Sequence, residues 1–90
     1  MPFEFDHAKS ASNKQKHGID FEEAQELWED ENGLEVSARN QAGERRWARV
    51  AWWQGRVWFC VYTMRGEKVR IITVRRAREY EEERYWDPER

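Results

Sequence analysis

The sequence predicts an α+β fold in which an antiparallel sheet of three to four strands carries two N-terminal helices and a C-terminal helix. Helical signals fill both ends of the chain, whereas apolar and polar residues alternate from Leu34 onward, as they do in strands. The links between these strands are short and contain turn residues, which favours antiparallel neighbours with the helices on one face of the sheet. Residues 1–90 are expected to form a single domain.

The first helix is predicted from its two ends. A short alternating stretch at residues 3–5 suggests a strand, and the polar segment from His7 to His17 follows it. Asp6 is a suitable N-cap, and Gly18 suits the left-handed position that follows a helix. The helix is therefore expected to span residues 7–17.

The second helix is predicted from its start and its apolar stripe. Asp20 and Glu23 have the spacing of a capping box, and the Asn32-Gly33 pair marks a turn beyond the end. The residues at helical spacing are Phe21, Ala24, Leu27 and Trp28. This face is expected to pack on the sheet.

Four strands and a last helix complete the prediction. The strands are residues 34–38, 46–53, 57–63 and 69–76, separated by a loop at 40–44 and tight turns at 54–55 and 65–68. The 57–63 strand is apolar on both faces, which indicates a central position. Strict alternation in the last strand places Arg70 on one face with Ile72 and Val74, as a partly buried and paired guanidinium. The glutamate-rich segment 78–85 is predicted to be helical.

Charge is unevenly distributed along the chain. Residues 1–38 carry three Lys/Arg and ten Asp/Glu, a net of −7, whereas residues 39–78 carry eleven and two, a net of +9. Residues 79–90 carry two and six, a net of −4. The acidic ends could lie away from the basic centre or neutralise it, and such asymmetry bears on partners rather than on fold.

Several functional classes lose support at this point. No run of about 18 apolar residues that could span a membrane exists, and the N-terminal residues lack the basic start and apolar stretch of a signal peptide, so a cytoplasmic protein is expected. The lone Cys60 is interpreted as a buried thiol in a reducing compartment. The two histidines and one cysteine do not make a metal site, and no phosphate-binding glycine loop or other cofactor motif is present.

Arginine on the strands and turns is the main candidate for chemistry. These residues are Arg46, Arg49, Arg56, Arg65, Arg70, Arg75, Arg76 and Arg78. Guanidinium groups match phosphate oxygens, so several directed at one groove would bind a phosphodiester. Interleaved aromatics could stack on unpaired bases or form the core. These are Trp47, Trp52, Trp53, Trp58 and Tyr62.

The segment Lys16-His17-Gly18 has two readings. As structure, it is a helix C-terminus with cations in the last turn and a glycine beyond it. As function, a histidine can move a proton near neutral pH, and Lys16 could hold a phosphate. The pattern alone leaves both readings open.

Taken together, the motifs resemble the BrnT family, small ribonuclease toxins of bacterial type II toxin–antitoxin modules with a RelE-like fold. The matching segments are Phe5-Asp6-x-x-Lys9 with Asn13, Lys16-His17-Gly18-Ile19, Phe21-Glu22-Glu23-Ala24, Gly43-Glu44-x-Arg46, Gly55-Arg56, Tyr62-Thr63-x-Arg65-Gly66, and Arg70-Ile71-Ile72-Thr73-Val74-Arg75-Arg76-Ala77, with Glu81 and Tyr85. Each motif is weak alone, and their order and spacing make the set specific.

The resemblance implies a metal-independent endoribonuclease, an RNA-binding hydrolase that inhibits translation and is neutralised by a BrnA-like antitoxin. Such a complex, a heterotetramer, would reach operator DNA only through the antitoxin. His17, or else Lys16, is the expected proton-transfer residue, with Arg46, Arg65 and Arg70 completing the catalytic set. The remaining phosphate-binding candidates are Arg75, Arg76 and Arg56.

A binding module is the alternative from another class. In that reading the RelE-like scaffold is not catalytic, and it only docks an antitoxin-type protein on one sheet face. The acidic ends favour this alternative, because a neutralised groove binds RNA poorly.

Overall fold

The chain folds into one five-stranded sheet with helices on both faces, and the computed structural model describes residues 2–90. The strands are β1 (Phe3–Glu4), β2 (Leu34–Gln41), β3 (Glu44–Trp53), β4 (Arg56–Arg65) and β5 (Lys68–Arg76). The helices are α1 (His7–His17), α2 (Phe21–Ala24), a 3-10 helix (Gln25–Glu29) and α3 (Glu79–Trp86). No helix within residues 2–90 has both the length and the apolar character needed to cross a membrane.

The sheet has more strands than the sequence predicts, and it is mixed. Its order is β1-β5-β4-β3-β2, with β1 parallel to β5 and every other pair antiparallel. The α+β class is confirmed, and so is the central place of β4. The prediction of three to four antiparallel strands is wrong, because the two-residue β1 adds a parallel edge strand whose partner is 66 residues away in sequence.

The predicted loop at residues 40–44 is also wrong. β2 and β3 continue to the pair Gln41–Glu44, and only Ala42 and Gly43 form the turn, with φ of 51° and 76°. Positive φ at both central positions gives a hairpin turn that matches the strand twist. The polar residues here are strand residues with exposed side chains, and their pattern resembles that of a loop.

Both predicted N-terminal helices form, and their caps are confirmed. The Asp6 carboxylate accepts a hydrogen bond from the backbone N–H of Lys9 at 3.0 Å, and Gly18 ends α1 with φ of 81°. Asp20 and Glu23 make the expected capping box at the start of α2. After one turn, α2 continues as the 3-10 helix, so the second helix is a composite of the two.

One sheet face, here the core face, packs against α1, α2 and the 3-10 helix. Its buried residues are Ile19, Phe21, Ala24, Leu27, Ala51, Trp53, Trp58, Cys60, Tyr62, Val69, Ile71 and Val74. Core packing is therefore the role of Trp53, Trp58 and Tyr62, and burial raises the pKa of the Cys60 thiol. Cys60 is the buried thiol that the sequence predicts.

The opposite face, here the arginine face, is partly covered by α3. Tyr85 packs against Val50 and Val57, with Leu34, Val36, Phe59 and Ala77 around them. The expectation that all helices pack on one face is therefore wrong. The dense charge of α3 obscured the apolar contact that Tyr85 makes.

A β-bulge in β5 decides which arginines face together. Val61 of β4 lies opposite Thr73, but the next residue, Tyr62, lies opposite Ile71, so Ile72 is extra. The bulge shifts the alternation, and Val74 joins the core face. The prediction that Arg70 shares a face with Ile72 and Val74 is wrong, because strict alternation does not survive an inserted residue. Arg70 instead shares the arginine face with Arg75.

Candidate functional site

The end of the arginine face that α3 leaves uncovered carries Arg46, Arg65 and Arg70, here called the arginine patch. Arg46 and Arg65 come from neighbouring strands and share Glu44. The Arg46 Nη2 lies 3.5 Å from Glu44 Oε1, and the Arg65 Nη2 lies 3.4 Å from Glu44 Oε2. These long contacts hold the two guanidinium groups close together, with the side chain of Arg65 half exposed.

Arg70 extends the patch toward β1. Its Nη1 donates to Glu4 Oε2 at 2.9 Å, and both side chains are about 30% exposed. This confirms a partly buried and paired guanidinium at this position. The pKa of the nearby Asp6 carboxyl is lowered, first by the hydrogen bond from the Lys9 backbone and to a smaller extent by the charges of Lys9 and Arg70. Arg70 therefore lies near the start of α1.

Arg75 serves α3 rather than the open patch. Its two terminal nitrogens donate to the two Glu81 oxygens at 2.8 and 2.9 Å, and its guanidinium lies over the Phe59 ring, 4.4 Å from the centroid. Burial alone would raise the pKa of Glu81, but the hydrogen bonds from Arg75 and the Arg78 backbone hold it below its usual value. This ion pair fastens α3 to the sheet.

Arg56 and Arg76 lie apart from the patch. Arg56 begins β4 and Arg65 ends it, and ten residues of strand span roughly 30 Å. Arg76 is the last residue of β5 and lies opposite Trp58, which places it on the core face. Its side chain is exposed there. The structure therefore does not bring these two phosphate-binding candidates to Arg46, Arg65 and Arg70.

Lys16 and His17 line a small pocket where α1 meets β5. The pocket has a volume of about 140 Å³. Its walls are Lys9, Ser12, Asn13, Lys16, His17, Phe21, Ile72 and Thr73, and it is here called the α1–β5 pocket. The bulged residue Ile72 and its neighbour Thr73 supply the β5 side of the pocket. Sequence reasoning missed Lys9, Ser12 and Thr73 as site residues, although Lys9 and Lys16 are seven residues apart and share a helix face.

Asn13 fixes the wall of this pocket. Its Nδ2 donates to the carbonyl oxygens of Ile19 and Val74, both at 2.8 Å, and its Oδ1 accepts from the Val74 N–H at 3.3 Å. The Thr73 hydroxyl lies 3.4 Å from the same oxygen. Because Asn13 is only 6% exposed, these bonds form away from solvent and tie the end of α1 to the bulge.

The acidic ends of the chain do neutralise part of the basic centre. Glu4 from the N-terminal segment pairs with Arg70, and Glu81 from the C-terminal segment pairs with Arg75. Arg49 lies on the core face, where it binds Glu35 and the carbonyls of Leu27 and Asp30. Arg49 is thus a structural residue that joins the 3-10 helix to the sheet.

Aromatic and metal-binding groups add little to the arginine patch. Trp52 is 42% exposed, but it packs edge-on against Trp86 of the acidic α3. Within residues 2–90, no three His, Cys, Asp or Glu side chains are grouped so that they could hold a metal ion.

Comparison with known proteins identifies the family of this chain. Residues 5–81 match the family described as "Ribonuclease toxin, BrnT, of type II toxin-antitoxin system". The chain has no significant match among proteins of curated function. The family match includes α1, all of β2 to β5 and the start of α3, and therefore both the arginine patch and the α1–β5 pocket. The chain belongs to the BrnT family of ribonuclease toxins of type II toxin–antitoxin systems.

Proposed function

We propose that this chain, acting as a single domain of residues 1–90, is a metal-independent endoribonuclease that cleaves RNA and thereby inhibits translation. The observation that supports it best is the grouping of Arg46, Arg65 and Arg70 beside the pocket that contains Lys16 and His17. Thr73, on the pocket wall, is three residues along β5 from Arg70, which corresponds to about 10 Å. An RNA strand that passes around the β5 edge would contact both.

The proposed chemistry uses the nucleophile that RNA carries. The ribose 2′-hydroxyl attacks the neighbouring phosphorus, and its proton passes to a base as the P–O bond to the next nucleotide breaks. The products are a 2′,3′-cyclic phosphate and a free 5′-hydroxyl, which takes up a proton. His17 is the first choice for proton transfer and Lys16 the second, and the cations stabilise the charge of the pentacoordinate intermediate.

A growth assay in a bacterial host tests the proposal. Induced expression should stop growth, and co-expression of a BrnA-like antitoxin should restore it. Arg65→Ala and Arg70→Ala should relieve toxicity in proteins that still fold, whereas Arg84→Ala on exposed α3 serves as the matched control and should remain toxic. Harmless expression, together with RNA left intact by purified protein in EDTA, would overturn the enzymatic proposal.

The partner is proposed on the same basis. A BrnA-like antitoxin would form a heterotetramer with the toxin in the cytoplasm, and operator DNA would be bound only through the antitoxin. Size measurement of the co-purified complex tests the assembly. A complex of one toxin and one antitoxin would contradict the heterotetramer without affecting the nuclease.

A non-catalytic scaffold that binds an antitoxin-type protein is the second candidate. The observation that favours it is the pairing of Arg46, Arg65 and Arg70 with Glu44 and Glu4, which leaves the patch with three positive and two negative charges. A salt titration discriminates between the two candidates. Phosphate contacts predict RNA affinity that falls steeply with salt, whereas a protein-docking scaffold predicts little RNA binding at any salt concentration.

A further inference from the structure

The cations of the α1–β5 pocket differ from those of the arginine patch in having no acidic partner. Within residues 2–90, no carboxylate lies within 4.0 Å of the side-chain nitrogens of Lys9, Lys16 or His17. The nearby carboxylate of Asp6 is engaged by the backbone N–H of Lys9. The pocket therefore concentrates positive charge that no carboxylate pairs with directly, although Asp6 lies near Lys9.

The lining of the pocket suits a phosphate group. The Ser12 hydroxyl is a hydrogen-bond donor on the same wall as the two lysines. The Thr73 hydroxyl donates to Asn13 Oδ1 over a long 3.4 Å, and a phosphate oxygen can replace that acceptor. Donors and positive charge together favour a tetrahedral oxyanion.

The pocket is also held in shape before any ligand binds. The buried Asn13 amide joins α1 to the Val74 backbone, and the Ser10 hydroxyl accepts a hydrogen bond from the Phe21 N–H at 2.9 Å. These bonds fix the helix that carries Lys9, Ser12 and Lys16 against the strand that carries Thr73. The side chains of Lys9, Ser12 and Lys16 are themselves exposed, so what is fixed is the backbone that brings these donors to one place beside charge developing in a transition state.

We propose that the α1–β5 pocket holds the phosphate at which the RNA is cut, and that Lys9, Ser12 and Thr73 bind it together with Lys16 and His17. A proton-transfer group must lie within hydrogen-bond reach of the reacting atoms, and His17 lines this pocket rather than the arginine patch. Two lysine charges match the doubly charged intermediate. The arginine patch then binds the neighbouring phosphates of the same strand. This inference rests on the proposed ribonuclease function.

Phosphate binding is tested without RNA. Inorganic phosphate is titrated into the protein while the imidazole NMR signals of His17 are followed. Saturable shifts are expected in wild type, with affinity at least tenfold weaker in Lys9→Met. Lys14→Met is the matched control, because Lys14 lies on the same helix and pairs with Glu23 at 2.8 Å outside the pocket. Equal binding by wild type and Lys9→Met would overturn the pocket as an anion site.

RNA cleavage then tests which phosphate occupies the pocket. Lys9→Met should lower kcat by about 100-fold with little change in KM, the usual effect of removing one group that stabilises transition-state charge. A higher KM with unchanged kcat would overturn the inference, because it would place a flanking phosphate there. Thermal unfolding of Lys9→Met and Ser12→Ala checks that both variants fold.

The two proposals can fail separately. If wild type leaves RNA intact but phosphate still shifts His17 in a Lys9-dependent way, the ribonuclease proposal fails and the anion site stands. If wild type cleaves RNA while Lys9→Met and Ser12→Ala cleave it equally well, the function stands and the pocket assignment is overturned.

Discussion

Asn13 pairs with Val74 as a neighbouring strand would, donating to its carbonyl oxygen at 2.8 Å and accepting from its N–H at 3.3 Å. Their positions differ by 61 residues. β1 pairs with β5 only at Val69 and Arg70, so the β5 edge beyond that point would otherwise lack a partner at Val74. One side chain therefore replaces a strand and places α1 beside the bulge.

Replacing Asn13 with alanine should destabilise the protein by about 1–3 kcal/mol, because the buried backbone groups of Val74 and Ile19 lose their partners. Urea unfolding measures the change. Gln15→Ala, on the exposed side of the same helix, should stay within about 0.5 kcal/mol of wild type. Equal stability of the two variants would show that water replaces the amide at no cost.

Local signals in the sequence predict much of this fold. The caps at Asp6, Gly18 and Asp20 depend on neighbours a few residues away, and the alternation of β3 and β4 follows from burial of apolar side chains. The short strand predicted at residues 3–5 is confirmed as β1, but its parallel pairing with β5 and the role of Asn13 depend on contacts more than 60 residues away. No local pattern specifies such contacts.

The candidate site was harder to predict for the same reason. Arg46, Arg65 and Arg70 could be chosen from residue type, but the inserted Ile72 breaks the alternation of β5 that should have decided which residues share a face with Arg70. The carboxylate partners, Glu4 and Glu44, depend on sheet order, which composition does not encode.

Glu44 should weaken RNA binding, because its carboxylate pairs with Arg46 at 3.5 Å and with Arg65 at 3.4 Å and so competes with RNA phosphates for both guanidinium groups. Glu44→Gln is expected to raise affinity for 2′-O-methylated RNA, which cannot be cut, several-fold. Each additional phosphate contact should steepen the dependence of log affinity on log salt by about 0.7. Fluorescence anisotropy at several salt concentrations measures both quantities.

The control for Glu44→Gln makes the same change of charge elsewhere. Glu29 is exposed on the 3-10 helix, so Glu29→Gln tests the effect of net charge alone. Similar gains in the two variants would mean that overall charge, rather than release of the two arginines, controls binding.

Glu81→Gln should remove a pH-dependent part of the stability. The pKa of Glu81 lies below its usual 4.5, so its ion pair with Arg75 stabilises the fold above about pH 4.5 and is lost as pH falls through the lowered pKa. At pH 7 the variant should lose about 1.5–3 kcal/mol, as expected for hydrogen bonds to a charged group. Below pH 4.5 the difference from wild type should shrink.

Urea unfolding between pH 3 and 7 follows this difference. Glu83 is exposed on the same helix, so the free energy of unfolding of Glu83→Gln, plotted against pH, should run parallel to that of wild type. A difference between Glu81→Gln and wild type that stays constant with pH would show that the ionised carboxylate is not the stabilising species.

Tyr85 should control stability at alkaline pH. Its hydroxyl donates to Asp30 Oδ2 at 2.6 Å, and burial, together with this bond, raises the pKa of Tyr85 to about 12. Because the pKa is higher in the folded state, the Tyr85 hydroxyl contributes its full share of the folding stability below the ordinary pKa of 10. This stabilisation is lost as pH rises toward 12. Tyr85→Phe should cost about 1.5–3 kcal/mol at pH 7 and should flatten the decline above pH 10.

Tyr62 complicates the alkaline measurement, because burial also raises its pKa to about 12. Wild type, Tyr85→Phe and Tyr62→Phe should therefore be compared by urea unfolding from pH 7 to 11, with Tyr80→Phe as the control, since Tyr80 is 62% exposed. Tyr80→Phe should follow wild type throughout, and each of the other two should remove part of the alkaline decline. If the free energy of unfolding of Tyr85→Phe falls with pH as steeply as that of wild type, the hydrogen bond to Asp30 does not hold the Tyr85 proton. In that case α3 is attached to the sheet mainly by the ion pair of Glu81 and Arg75.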